Sequence, residues 1–559
     1  MDTTEQPRLA PPLLQGRLAS PLPEAAWYAL PAFGQLVRLS AALAVFVAVF
    51  GLTGRSEHPL TAMGPGPFVT FVSLAVPGAA ALVAAFALYR PWRALLLVLA
   101  LAPLWNSAYV SLQIGPVQVI LQTVFVFTLA IGTLTTRPNT GAFPWSASDL
   151  VAAGRSRGFA AFRFAEVAVA GLIGLAVVST MASSNVTLSA TVLLHGILEP
   201  IALAAILVAL RPSRRDLVMV GLALGISMGL GTAFNLAQTL PIFTSLASVD
   251  AHRLTFARAS FYNVGLFAAI VAMTIPLIVA VLASRRSLSL PRWATVLMIV
   301  TLAAGLLGLF FSLSKSAWIA AGVGTVLVLL LMVQSWRRRL TLVLAATALS
   351  TLFIPWPALF LQVVPSANSG YRTVMVALVG ESRFDSWNPA TIAGRGSLVE
   401  RFYAVDAGVK MAVANPILGV GLDQFGPNYN GSTKYRPAQA LDTLDHAHSL
   451  FPEIAAELGI PALALVLVIY GATLWALWRA HRNARDQLTR FLAAGLMAAI
   501  VAWLVVASAF GCDFYRPSVD LSSDVVVSCV LVGAAIALAR TVRAEKPPQP
   551  SSPSRAALS

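Results

Sequence analysis

A chain of 559 residues that is 58% apolar and only 11% charged cannot clothe itself in a solvated surface, since soluble domains carry about 25% charge. Long unbroken apolar runs such as Val296–Phe311 and Ala462–Trp478 exclude a transmembrane β-barrel and leave an all-α polytopic integral membrane protein. The net charge of +15 fits cytoplasmic loops rather than a nucleic-acid face, and two cysteines, Cys512 and Cys529, make neither a disulfide framework nor a cysteine metal site.

Residues 1–35 are interrupted by Pro11, Pro12, Pro21 and Pro23 and read as a disordered cytoplasmic N-terminus without a signal-peptide core. About fourteen transmembrane helices follow, at 36–53, 68–89, 93–109, 114–135, 162–183, 187–210, 217–241, 262–283, 293–312, 316–335, 340–363, 461–479, 490–510 and 523–541. Spans one to eleven form a bundle over 36–364, and a long loop occupies 365–460. Spans twelve to fourteen fill 461–541, and 542–559 is a disordered cytoplasmic tail rich in Pro and Ser. Threading the chain in this order puts most of the 38 Lys and Arg on the face that holds the N-terminus, among them Arg90, Arg214, Arg285, Arg338, Arg482 and Arg490. The positive-inside rule makes that face cytoplasmic, keeps both termini there and turns the 365–460 loop outward. Within the spans, His195, Glu199, Asn235 and Gln238 are polar residues of the kind that hydrogen-bond between helices; Glu199, beside Pro200, is the candidate for a further role.

The outer loop is patterned rather than blank. Ser397 and Glu400 form a capping box, and Val399, Phe402, Val405 and Val409 follow at helical spacing up to the break at Asn415-Pro416. Gly419-Val420-Gly421 supplies a tight turn. A second short helix is expected from His448–Ser449 to Gly459, with Pro461 in the first turn of the next span. The pattern predicts a small cap of two helices over the bundle.

The element His448, Ser449, nine further residues, then Gly459 resembles the signature of the O-antigen ligase/O-antigen polymerase superfamily. Flanking features are similar to that family in the expected order. Arg401 begins a stretch that resembles its amphipathic helix, and Pro416 to Gly421 resembles its Pro-hydrophobic-Gly-Val-Gly turn. Arg258 to Asn263 looks like its arginine-bearing approach to a central span. Ser314-Lys315-Ser316 stands where a Ser-Arg-Gly/Ser element is usual; Lys315 keeps the charge but lacks the bidentate fork that suits phosphate. The resemblance covers roughly residues 250–480 and implies a GT-C-like membrane fold in a bacterial inner membrane. It also implies a polyprenyl-pyrophosphate-linked glycan donor and transfer to a glycan or lipid acceptor on the periplasmic face.

The residues themselves are compatible with that chemistry. Outside the cytoplasm no nucleotide sugar is at hand, so a donor must arrive activated and be held at the membrane surface by cations. Arg258, Lys315 and Arg253 are outer-face cations near expected span ends and are candidates for the donor pyrophosphate. His448, at the start of a short helix whose N-terminus disfavours a second proton, is a candidate general base for a sugar hydroxyl; the simpler role is a helix cap. His446, Glu457, Ser449 and Arg401 are candidates to support it. A His446/His448 metal pair finds no third ligand beyond Asp442 or Asp445, so neither metal nor cofactor is expected. A lipid-linked oligosaccharide flippase is the competing function, but it calls for paired halves and mid-membrane charges, and neither pattern is present. Ligase and polymerase remain equivalent at this level.

Overall fold

The computed structural model describes residues 67–104, 111–114, 117–136, 157–244, 264–285, 290–312, 314–333, 335, 337–341, 344, 397–432, 434–437, 443–509 and 524–544. Helix α1 (Pro67–Tyr89) is separated from α2 (Pro91–Ala100) by Arg90, and the proline at the first position of α2 presets the new helix direction. A 3₁₀ turn at Ala102–Leu104 follows, then an antiparallel ribbon of β1 (Ser111–Ile114) and β2 (Val117–Ile120), with Ser111 opposite Ile120. The ribbon runs directly into α3 (Leu121–Thr136). Next come α4 (Arg157–Met181), α5 (Val186–Ala209), α6 (Arg214–Thr244), α7 (Val264–Ala283), α8 (Arg292–Ser312) and α9 (Lys315–Met332). The cap contributes α10 (Ser397–Ala414), α11 (Phe425–Gly431) and α12 (Leu450–Leu458). The chain re-enters the bundle as α13 (Ile460–Asn483), α14 (Gln487–Ala509) and α15 (Asp524–Ala544).

The protein is a helical membrane protein. Among the described residues six helices are long and apolar enough to cross a bilayer, including Val186–Ala209, Ile460–Asn483 and Gln487–Ser508, and shorter apolar helices accompany them. The expected span 36–53 and nearly all of 340–363 lie outside the described residues. The helical class holds among the described residues apart from one short ribbon, Ser111–Ile114 with Val117–Ile120, placed where the span expected at 114–135 was to begin. Its β-branched Val117, Val119 and Ile120 favour extended backbone, so the apolar run that looked like one long helix begins as strand and turns helical only from Leu121.

Small residues set the packing. At the centre, α7, α9 and α14 lie so close that a Cβ added to Gly495 would sit 2.7 Å from the Cβ of Ala280, and one added to Gly132 of α3 would meet the Ala87 carbonyl of α1 at 2.0 Å. Without a hydrophobic force between helices in lipid, this closeness is what holds them. Outward-facing Val167, Val296, Val300, Leu467 and Trp475 are exposed, as lipid-facing side chains should be. Two buried polar links tie the layers. Trp503 Nε1 donates to Asp524 at 3.1 Å while its ring stacks on Tyr470 at 4.9 Å. His195 Nδ1 lies 3.1 Å from Glu199, which also accepts from Thr123 at 2.6 Å, so Glu199 joins α5 to α3 in the manner ordinary for polar residues between spans. This pair sits at a π-helical stretch, Leu193–Leu198, inside α5. The side chains of Asn235 and Gln238 lie outside the described set.

The contacts sort the helix ends onto two faces. Ser449, just before α12, bonds the Ser508 carbonyl near the end of α14, so α14 ends at the cap. Asp486, just before α14, pairs with Arg214 at the start of α6 at 2.9 Å, and Arg540 near the end of α15 pairs with Glu166 in α4 at 3.3 Å. Leu331 and Met332 at the end of α9 line the same cavity as His481 and Gln487. These ends share the face opposite the cap. The start of α9, at Lys315, is therefore on the cap side, about 27 Å away along an 18-residue helix.

Candidate functional site

The cap has its own small core of Ala404, Ala407, Met411, Phe425, Tyr429, Tyr435, Leu444, Ala447 and Ala456. Small residues on α10 let it lie close to α12: a Cβ on Gly408 would be 3.1 Å from Pro452. Helix α10 ends at Ala414, before the Asn415-Pro416 break that its sequence carries. Asn430 then clamps the segment leading to the histidines, donating to the Leu444 carbonyl at 2.9 Å and accepting the Leu444 N–H at 3.1 Å.

The turn after Pro416 is sewn to the far end of α12. Val420 N–H donates to Ala456 O at 2.8 Å, Gly421 N–H to Glu457 O at 3.1 Å, and Ile460 N–H to Pro416 O at 2.9 Å. Such closeness leaves no room for a side chain. A Cβ on Gly419 would come within 2.2 Å of the Glu457 carbonyl carbon, and one on Gly459 within 2.2 Å of Ile417 O. Both glycines have positive φ, 68° and 88°, which other residues adopt at a cost. Serines at the junction of α4 and α5 complete the stitching. Ser179 Oγ donates to the carbonyls of Leu418 and Glu457 at 2.9 and 3.0 Å, and Ser189 Oγ to that of Leu422 at 2.6 Å.

His446 and His448 meet edge to face, ring centroids 4.0 Å apart, with His446 buried and His448 half-buried. His448 is not the helix cap; Ser449 occupies that position, in extended backbone, and its hydroxyl reaches Ser508 instead of the helix. His448 stands one residue further out, at φ 53°, a left-handed conformation that turns the chain sharply before α12. The outcome is an imidazole presented at the cap–bundle junction beside a helix N-terminus. Arg401 in α10 is partly buried, and that burial lowers its pKa from the ordinary arginine value.

Glu457 sits buried at the end of α12 and accepts the backbone N–H groups of Asp423 and Phe425, each at 3.0 Å. Burial above all, and then the charge of Asp423, push its carboxyl from an ordinary 4.5 up to about 8, against the lowering effect of those N–H groups. The folded state thus holds this proton more tightly than the unfolded chain. Its contribution to stability is complete below pH 4.5 and is lost as pH rises to about 8. The unfolding midpoint of the wild-type protein should fall across that window, and Glu457→Gln, which cannot ionise, should show a flatter profile. Parallel profiles in a pH series of thermal melts would contradict the buried, protonated carboxyl.

Of the other expected site residues, Lys315 opens α9 on the cap side, in a turn secured by Trp318 Nε1 donating to Leu309 O at 2.6 Å. Arg253 and Arg258 fall in the sequence between α6 and α7, outside the described residues. Among the described residues no three His, Cys, Asp or Glu side chains group to hold a metal ion. Sequence reasoning missed Ser179, Ser189, Asn430 and Asp423. The clustering of Ser183, Ser184 and Asn185 at a span junction was the available signal for a polar docking point.

Helices packed for a bilayer, with a folded cap that presents a histidine pair over one end, define the class: a polytopic membrane protein with its candidate site at one membrane face. Residues 300–467 match the family model described as O-Antigen ligase, and this region of the chain is similar to that family. The match spans α9, the cap and the start of α13, and supports a role in O-antigen or related polysaccharide biosynthesis in a membrane setting. No curated protein matches the sequence.

Proposed function

We propose that this protein transfers a glycan from a polyprenyl-pyrophosphate-linked donor to a sugar hydroxyl at the periplasmic face of the bacterial inner membrane. The observation that carries the proposal is His448, held in left-handed backbone at the cap–bundle junction inside the family-matched region. His448 takes the acceptor proton as the hydroxyl attacks the anomeric carbon; the pyrophosphate leaves with the electron pair of the broken glycosidic bond. Lys315, with Arg258 and Arg253, balances the charge on the leaving group, and Arg401 and His446 support the site from the cap. Arginines crowd the opposite face, including Arg90, Arg214, Arg285, Arg482 and Arg490, which favours the cap facing outward.

Deleting the gene and resolving the surface polysaccharide by length tests the reading. Long chains that accumulate unattached identify a ligase, whereas single repeat units alone identify a polymerase. An unchanged profile would refute both.

A further inference from the structure

The face away from the cap carries a cavity of about 580 Å³ between the ends of α9, α13 and α14. Its wall includes Arg339, Arg482, Arg485, Arg490 and His481, with Trp478, Leu331, Met332 and Phe491 as an apolar floor. No carboxylate is among the described residues that line it. The adjacent acid, Asp486, is engaged elsewhere, pairing with Arg214 at 2.9 Å and accepting from Thr489 N–H and Oγ, each at 2.7 Å.

This is more than the scattered arginine of any cytoplasmic loop. Arg482 lies over the Trp478 ring at 6.0 Å, and that ring stacks on His481 at 6.3 Å. Arg490 donates to the Ala484 carbonyl at 3.4 Å, while its own carbonyl lies 3.1 Å from His481 Nδ1. Arg339 donates to the Val333 carbonyl at 2.6 Å. The contacts made by Arg482, Arg490 and Arg339 each take up one edge or face of a guanidinium and orient the remainder, so these three cations are arranged before any ligand arrives. Fixed guanidiniums suit phosphate oxygens, and an apolar floor at the membrane boundary suits a glycerol backbone and the top of an acyl chain.

We propose that this cavity binds the phosphate headgroup of an anionic phospholipid from the leaflet on the arginine-rich face, a site separate from the histidine cap. The shared chemistry is phosphate recognition, and the apolar floor commits the site to a lipid rather than to a soluble phosphate. The full-length protein in mild detergent would be titrated with phosphatidylglycerol, with phosphatidylcholine and with inorganic pyrophosphate, reading bound ligand by native mass spectrometry. Phosphatidylglycerol should bind at least about tenfold more tightly than phosphatidylcholine, and the double variant Arg482→Gln/Arg485→Gln should lose about tenfold or more of that affinity. Arg482→Lys/Arg485→Lys, which keeps the charge but loses the fork, should fall between the two. The pair Arg211→Gln/Arg215→Gln, on the same face but outside the cavity, should bind as wild type does. Equal loss in that pair would reduce the effect to the general charge of the face and overturn the proposal. So would absence of headgroup selectivity in the wild-type protein, a readout that needs no variant to fold. Pyrophosphate binding as tight as the lipid would overturn the lipid assignment.

Discussion

His448→Asn is expected to lower the transfer rate about a hundredfold or more while donor binding and the fold survive, since general-base catalysis contributes about 10²–10⁴. The choice of asparagine follows from the backbone. At φ 53° an alanine would add strain of its own, whereas asparagine is among the few residues that accept the left-handed region readily. A loss of rate in His448→Asn therefore reports on the imidazole and not on the turn. His446→Ala should cost less, because His446 supports the pair from a buried position. The wild-type rate should also fall at acid pH, because imidazolium cannot accept the hydroxyl proton. Purified His448→Asn transferring glycan at the wild-type rate would remove His448 from the chemistry.

Gly459→Ala and Gly419→Ala should each unfold or misplace the cap. A methyl group at either position lands about 2.2 Å from backbone atoms that cannot step aside, on residues whose φ is already positive. Left-handed strain and overpacking together amount to roughly 2–5 kcal/mol, a large share of the stability of a small subdomain. Limited proteolysis of the purified variants, read as cleavage between 397 and 459, should be accelerated strongly. Gly431→Ala is the matched control, since nothing lies within 4 Å of its added Cβ. Wild-type resistance in Gly459→Ala would mean that the Pro416–Gly421 turn and α12 do not approach as described.

Much of the fold was readable because lipid imposes long apolar runs with polar ends. The expected 187–210, 293–312 and 461–479 correspond to α5, α8 and α13 within a few residues. The cap helices were readable for a different reason: Ser397, Pro416, Gly459 and Pro461 are start and stop signals that act over one or two turns. The ribbon at 111–120 escaped because hydropathy does not separate strand from helix in a short apolar run; the Gly115-Pro116 pair between its strands was the missed clue. The cap's attachment was not legible at all. Ser179 and its acceptor Leu418 lie 239 residues apart, and a serine near a span end looks the same whether it meets a carbonyl or water.

The seam joining the Pro416–Gly421 turn to α12 and to the α4–α5 junction has a consequence for traffic through the site. Three backbone bonds and the hydroxyls of Ser179 and Ser189 hold it, each worth about 1 kcal/mol net, and all must break together for the cap to lift. A roof riveted in this way is a fixed lintel rather than a hinged door. The cap and the α4–α5 junction therefore move as one body, and anything that reaches the His446–His448 pair does so with the cap still seated.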